Sequence, residues 1–162
     1  MRIIRKFINI FHKTRKLGYS QIYVAVDIHE TILKPTWSIY EYFDYYPNAV
    51  DSLRLMSDSD RFRLILWSSC SPEKMNLYKR EFEKNGIVFD FLNENPDAHN
   101  TDYAYFNDKF YFDIGFDDKF GFNPYIEWFF IKWILKIKKL FKNFRKRFCY
   151  KNRSSTNHNL LV

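Results

Sequence analysis

Glycine is scarce in this chain, four of 162 residues, while Phe, at eighteen, and Tyr, at twelve, are abundant. That bias in usage selects no fold by itself. Cysteine is nearly absent: Cys70 and Cys149 make no disulfide framework, so a reducing compartment is the default expectation. Long apolar runs are missing too. The N-terminal apolar residues are interrupted before a signal-peptide core can form. The most apolar segment, WFFIKWILKIKKLF, is short and carries lysines at 132, 136, 138 and 139, which speaks against a membrane span. No internal repeat is visible. At this length one domain with a real core is expected.

Acidic residues are missing from both ends. Residues 1–18 hold six basic groups and no acid, and from Lys132 onward there are ten basic groups and again no acid. All nineteen acids therefore fall within 19–131, against ten basic residues there. An acidic centre between cationic flanks points to separate jobs. The expected organisation is a basic amphipathic segment at 1–18, an α/β domain at 19–128, a basic amphipathic helix at 129–150 and a flexible polar tail at 151–162.

Within the centre, IYVAVDI (22–28) and RLILW (63–67) are short apolar runs of the kind buried in parallel sheets. Between them Ala49, Val50, Leu53 and Met56 recur at helical spacing, with Pro47 just ahead as a start signal. After the second run comes a helix with Ser71 as cap, Pro72 at its first position and Gly86 past its end. IVFDFL (87–92) and FYFDIGF (110–116) read as a third and a fourth strand, separated by a polar, irregular stretch. Strands alternating with helices predict right-handed crossovers and a mainly parallel sheet in a Rossmann-like three-layer sandwich.

In such a sheet chemistry collects at the carboxyl ends of the strands. The residues there are Asp27, His29 and Thr31, then Ser68 and Ser69, then Asn93 and Asn95, then Asp117 and Asp118, with Lys109 just before the last strand. Carboxylates from two strands, a hydroxyl and a lysine together describe a site for a phosphoryl group with Mg2+, a cation that prefers hard oxygen ligands. The hydroxyl and the ammonium would hold the phosphoryl oxygens, and an aspartate could attack phosphorus. Asp113 alternates within its strand and reads as a solvated or structural carboxylate. Asn93, Asn95 and Trp37 are loop candidates for substrate contact, with turn chemistry as the competing explanation. Cys70 has no base partner and receives no role.

Four of these segments, DIHET, LILWSS, Lys109 and FDDK, occur in the order of the four motifs of the haloacid dehalogenase-like phosphohydrolases. Over about residues 22–128 the chain resembles that family, and YYPNAVDSL, FDFLNENP and KFYFDIGFDDKFGF resemble its small capless members from phages and Bacteroidetes. The resemblance implies a Mg2+-dependent phosphatase with Asp27 as nucleophile and metal ligand. It implies Ser68 and Lys109 on the transferring group, and Asp117, Asp118 and the backbone carbonyl of His29 around the metal; Thr31, Ser69, Asn93 and Asn95 are substrate-binding candidates by their place past the strand ends. His29 departs from the pattern, because phosphatases of the family normally have an aspartate acid/base there. Imidazole is itself competent near neutral pH, and such proton transfer contributes roughly 10²–10⁴ in rate. The alternative reading is a catalytically impaired binding or membrane-associated protein on the same fold.

The basic ends have two readings of their own. Phe130, Trp133, Ile134, Ile137, Phe141, Phe144 and Phe148 recur at helical spacing with lysines on the other side, a pattern suited to an anionic membrane surface. Ile3, Ile4, Phe7 and Phe11 form a weaker version at the N-terminus. Alternatively both stripes pack on the domain. Nucleic acid ranks below these, since no reading motif accompanies the cations. The location expected is cytoplasmic, or peripheral at the inner membrane surface.

Overall fold

A computed structural model describes residues 2–18, 20–35, 43–107 and 109–156, with the side chains of 14, 15, 17 and 141–156 left aside. Trp37 lies outside the described residues. The elements are α1 (Arg2–Leu17), β1 (Ile22–Asp27), α2 (Ala49–Ser57), β2 (Phe62–Trp67), α3 (Pro72–Lys84), β3 (Phe91–Leu92), β4 (Ile114–Phe116) and α4 (Pro124–Thr156), with a 3-10 turn at Asp118–Phe120. The four strands form one parallel sheet in the order β3-β2-β1-β4. This is the α/β Rossmann-like sandwich that the alternation predicts.

The layers follow from strand parity. Ile22, Val24 and Val26 of β1, Phe62, Leu64 and Leu66 of β2, and Ile114 and Phe116 of β4 belong to one core cluster, to which all four helices also contribute. The connections β1 to β2 and β2 to β3 step the same way across the sheet, so right-handed crossovers put both of their helices on that face. The return from β3 to β4 runs the other way and must cross the opposite face. It does so without a helix. Asp97 takes a hydrogen bond from Tyr23 Oη at 3.0 Å, Tyr111 packs edge-on to the Tyr23 ring, and Phe110 and Phe112 pack on Trp67. The third layer is thus irregular chain.

α3 begins and ends where its caps predict. Ser71 Oγ accepts from Lys74 N–H, Pro72 opens the helix, and Gly86, at φ 70°, closes it. The third and fourth strands are shorter than expected, 91–92 and 114–116 rather than 87–92 and 110–116. The reason is the same in both. Asp90 and Asp113 meet the neighbouring strand with a carboxylate as well as the backbone: Asp90 Oδ2 accepts from Leu64 N–H at 2.8 Å, and Asp113 Oδ2 accepts from Tyr23 N–H at 2.9 Å. A side chain takes the ladder position at each strand's start. Of the two readings that its alternation allows, Asp113 is therefore the structural carboxylate.

Both terminal helices join the core, so the boundaries at 18/19 and 128/129 do not separate domains. Ile3, Ile4, Phe7, Ile10 and Phe11 of α1 are buried, with the Phe7 ring against Phe62 and Phe116. The N-terminal stripe is consumed by packing. α4 starts at Pro124 behind an Asn123 cap whose own N–H donates to Glu127 Oε2, and it buries Trp128, Ile131 and Leu135. With neither Gly nor Pro after Pro124, nothing ends the helix at 150. Residues 151–156, expected in a flexible tail, are helical, and 157–162 lie outside the described residues.

Candidate phosphoryl site

Asp27 ends β1, in register with Trp67 at the end of β2, and Val26 pairs with Phe116 at the end of β4. The two residues after Phe116 are therefore carried to the same edge of the sheet. Carboxylate oxygens of Asp27, Asp117 and Asp118 lie within 4.8 Å of one another. Desolvation pushes the Asp27 carboxyl up to about 7, and the negative charges of Asp117 and Asp118 add to the effect. The Ile28 backbone hydrogen bond and Lys119 oppose it. A half-buried carboxylate repelled by two others is a group whose charge a divalent cation would stabilise. Three hard oxygen donors at this separation fit the ligand chemistry of Mg2+.

Two neighbouring loops hold this arrangement. Asp117 Oδ1 accepts from Lys119 N–H at 2.7 Å and so caps the 3-10 turn, while Asp118 N–H donates to Thr31 Oγ1 at 3.2 Å. Trp128 of α4 donates its Nε1–H to the Thr31 carbonyl at 2.8 Å. Thr31 is fully buried and committed to joining the loop after β1 to the loop after β4. It positions Asp118 rather than meeting a substrate, as the sequence had suggested.

Ser68, buried at the end of β2, is clamped by Asn93. Ser68 N–H donates to Asn93 Oδ1 at 2.9 Å, and Asn93 Nδ2–H donates to the Ser68 carbonyl at 2.7 Å. The Ser68 hydroxyl donates to Cys70 Sγ at 3.2 Å. Ser69 beside it is exposed. Asn95 is buried and donates to the Tyr111 carbonyl at 2.7 Å, which makes it a brace for the crossing loop. Asn93, Asn95, His99, Asn100, Phe106 and Phe110 help to line an open cleft of about 380 Å³ next to Ser68.

The His29 imidazole is not in the carboxylate group. Its Nε2 shares a hydrogen bond of 2.9 Å with Tyr78 Oη of α3, and the two rings meet edge to face. Desolvation lowers its pKa, helped by Lys74 and opposed by Glu30. Lys109 is exposed, and no ion pair or hydrogen bond among the described residues joins it to the carboxylates. Its neighbour Phe110 is the anchored residue, packed on Trp67. The cation beside the cluster is Lys119, paired with Asp118 at 2.6 Å and with Glu30 at 3.5 Å. Lys119 was legible as the residue following the acidic pair; Tyr78, 49 residues from His29, carried no signal in the sequence.

No family model matches the chain, and no curated protein matches it significantly. Among solved structures, a conserved protein from Bacteroides thetaiotaomicron is similar in fold, at 26% identity and a TM-score of 0.56, covering 73% of this chain and 92% of its own.

Proposed function

We propose that this protein is a Mg2+-dependent phosphomonoester hydrolase working through an aspartyl-phosphate intermediate. The observation that carries the reading is the convergence of Asp27, Asp117 and Asp118, with the Asp27 carboxyl lifted to about 7, at the sheet edge where Ser68 also stands. The four-motif resemblance agrees with it. Bound Mg2+, held by the three carboxylates with help from the His29 carbonyl, would offset the charge of the phosphoryl oxygens.

Asp27 is the nucleophile. One of its carboxylate oxygens bonds to phosphorus while the phosphorus–oxygen bond to the leaving group breaks. The Ser68 hydroxyl, freed from Cys70, donates to a phosphoryl oxygen. Two lysines can supply positive charge: Lys119, already at the cluster, and Lys109, which the resemblance implies, one residue from the ring packed on Trp67. In the second step neutral His29 takes a proton from the water that attacks phosphorus, and the bond to Asp27 breaks. A lowered His29 pKa suits this base role and weakens the preceding acid role.

The hydrogen bond between His29 and Tyr78 favours a second reading, a binding protein that keeps the phosphoryl site without turnover. Phosphate release from an aryl phosphate and from a panel of nucleotides and sugar phosphates, with Mg2+, separates the two. The enzyme reading expects activity in the natural chain and none in Asp27→Asn. A silent natural chain beside an active His29→Asp would select the binding protein.

A further inference from the structure

Helix α4 has two apolar faces, and the domain uses one of them. Trp128, Ile131 and Leu135 enter the core. On the other side Ile126, Phe129, Trp133, Ile137 and Leu140 follow one another at steps of three or four residues, within an arc of about 80°. Phe129, Trp133 and Leu140 are 45%, 52% and 65% exposed. The Phe129 ring packs edge-on to Phe130 at 5.5 Å and against Trp133 at 6.2 Å, and Phe129 and Trp133 both still keep about half of their surface open. The outer face of a docked helix is ordinarily polar, so a continuous apolar stripe there marks an interaction surface.

Charge identifies the partner. Lys136 sits 6.0 Å from the Trp133 ring, and from Lys132 to the end of the chain there are ten basic residues and no acid. Lys132 is spent inside the domain on Asp51 and Asn48, Lys138 lies over the Phe11 ring, and Lys136 faces Asp51; no acid follows them in the sequence to offset the remaining basic residues. We infer that this stripe lies on an anionic lipid surface, with its rings at the acyl boundary and the lysines among the headgroups. Among the described residues no helix is long and apolar enough to cross a membrane, so the attachment is in the plane of the surface. A second copy packed through the same stripe would bring two strongly cationic helices together. A nucleic acid would account for the lysines but not for Trp133 and Ile137.

Co-sedimentation of the full chain with phosphatidylcholine vesicles, with and without phosphatidylglycerol, tests this. Binding is expected only where the anionic lipid is present, and at least ~10-fold weaker for the double variant Trp133→Glu, Ile137→Glu. Both positions are exposed, so the variant should keep the melting temperature of the natural chain. Lys136→Gln with Lys139→Gln should weaken binding and flatten its dependence on salt. Equal binding to neutral vesicles would overturn the inference, as would binding indifferent to Trp133→Glu, Ile137→Glu. So would a dimer, seen by sedimentation velocity without vesicle binding, that the double variant dissolves.

Discussion

Asp27 couples the candidate site to stability. Its folded pKa is about 7 against about 3.9 in an unfolded chain, so the fold favours the neutral form. The cost of the charge is absent below pH ~4, grows as pH rises, and is complete above about 7. Asp27→Asn removes it. Discounted for remaining solvent exposure, the gain is about 1–2 kcal/mol, or ~2–6 °C in Tm, in metal-free protein at pH 8. Thermal melts at pH 4 and pH 8 with chelator check this: the variant should melt higher at pH 8 and level with the natural chain at pH 4. Mg2+ should then stabilise the natural chain and leave Asp27→Asn nearly unchanged. His29 leads to a prediction about substrate. Because its pKa is lowered, less of it carries a proton to give to the leaving group in the first step, so an aryl phosphate with a good leaving group should be turned over much faster than an alkyl phosphate. His29→Asp should narrow that ratio in steady-state kinetics. A ratio unchanged by the substitution would remove His29 from the proton transfer.

At the scale of elements, the short strands depend on two carboxylates. Asp113→Ala leaves the Tyr23 N–H without its acceptor and Tyr111 Oη without its 2.7 Å partner, and should cost about 1–3 kcal/mol by urea denaturation. A smaller loss would mean that water replaces the carboxylate. Gly86→Ala should cost about 1 kcal/mol or more, because the residue sits at φ 70° and a Cβ would meet Arg54 Nε at 3.3 Å. α3 was legible in the sequence since its signals are local: Ser71, Pro72 and Gly86 act within a turn of their own positions. β1 and β2 were legible as runs buried on both faces. β3 and β4 were overextended because Asp90 and Asp113 look like ordinary strand residues until the neighbouring N–H groups are in place. The β3–β4 crossing was read correctly as irregular chain, but its service as the third layer depends on Tyr23 and Trp67, which are far from it in sequence.

For the whole molecule, the two termini are unequal in what they can lose. Removing residues 1–18 takes Phe7 and four other buried side chains out of the core, a loss larger than ordinary domain stability tolerates, so that chain should fail to show a cooperative melt. Ending the chain after Leu140 spares Ile131 and Leu135 and should leave Tm within a few degrees, whereas ending it at Trp128 should not. Circular dichroism melts of the three chains check the ranking. The sequence by itself determined the alternation of strands and helices, the carboxyl-edge grouping of Asp27, Ser68, Asp117 and Asp118, and the cationic ends, because each rests on local periodicity or on charge counted along the chain. Only the tertiary structure decided that α1 is core, that α4 has a second face left over, that Thr31 and Asn95 brace loops, and that Lys119 rather than Lys109 pairs with the acids. Those outcomes depend on which distant groups compete for the same buried space and the same hydrogen bonds, and no local pattern encodes that competition.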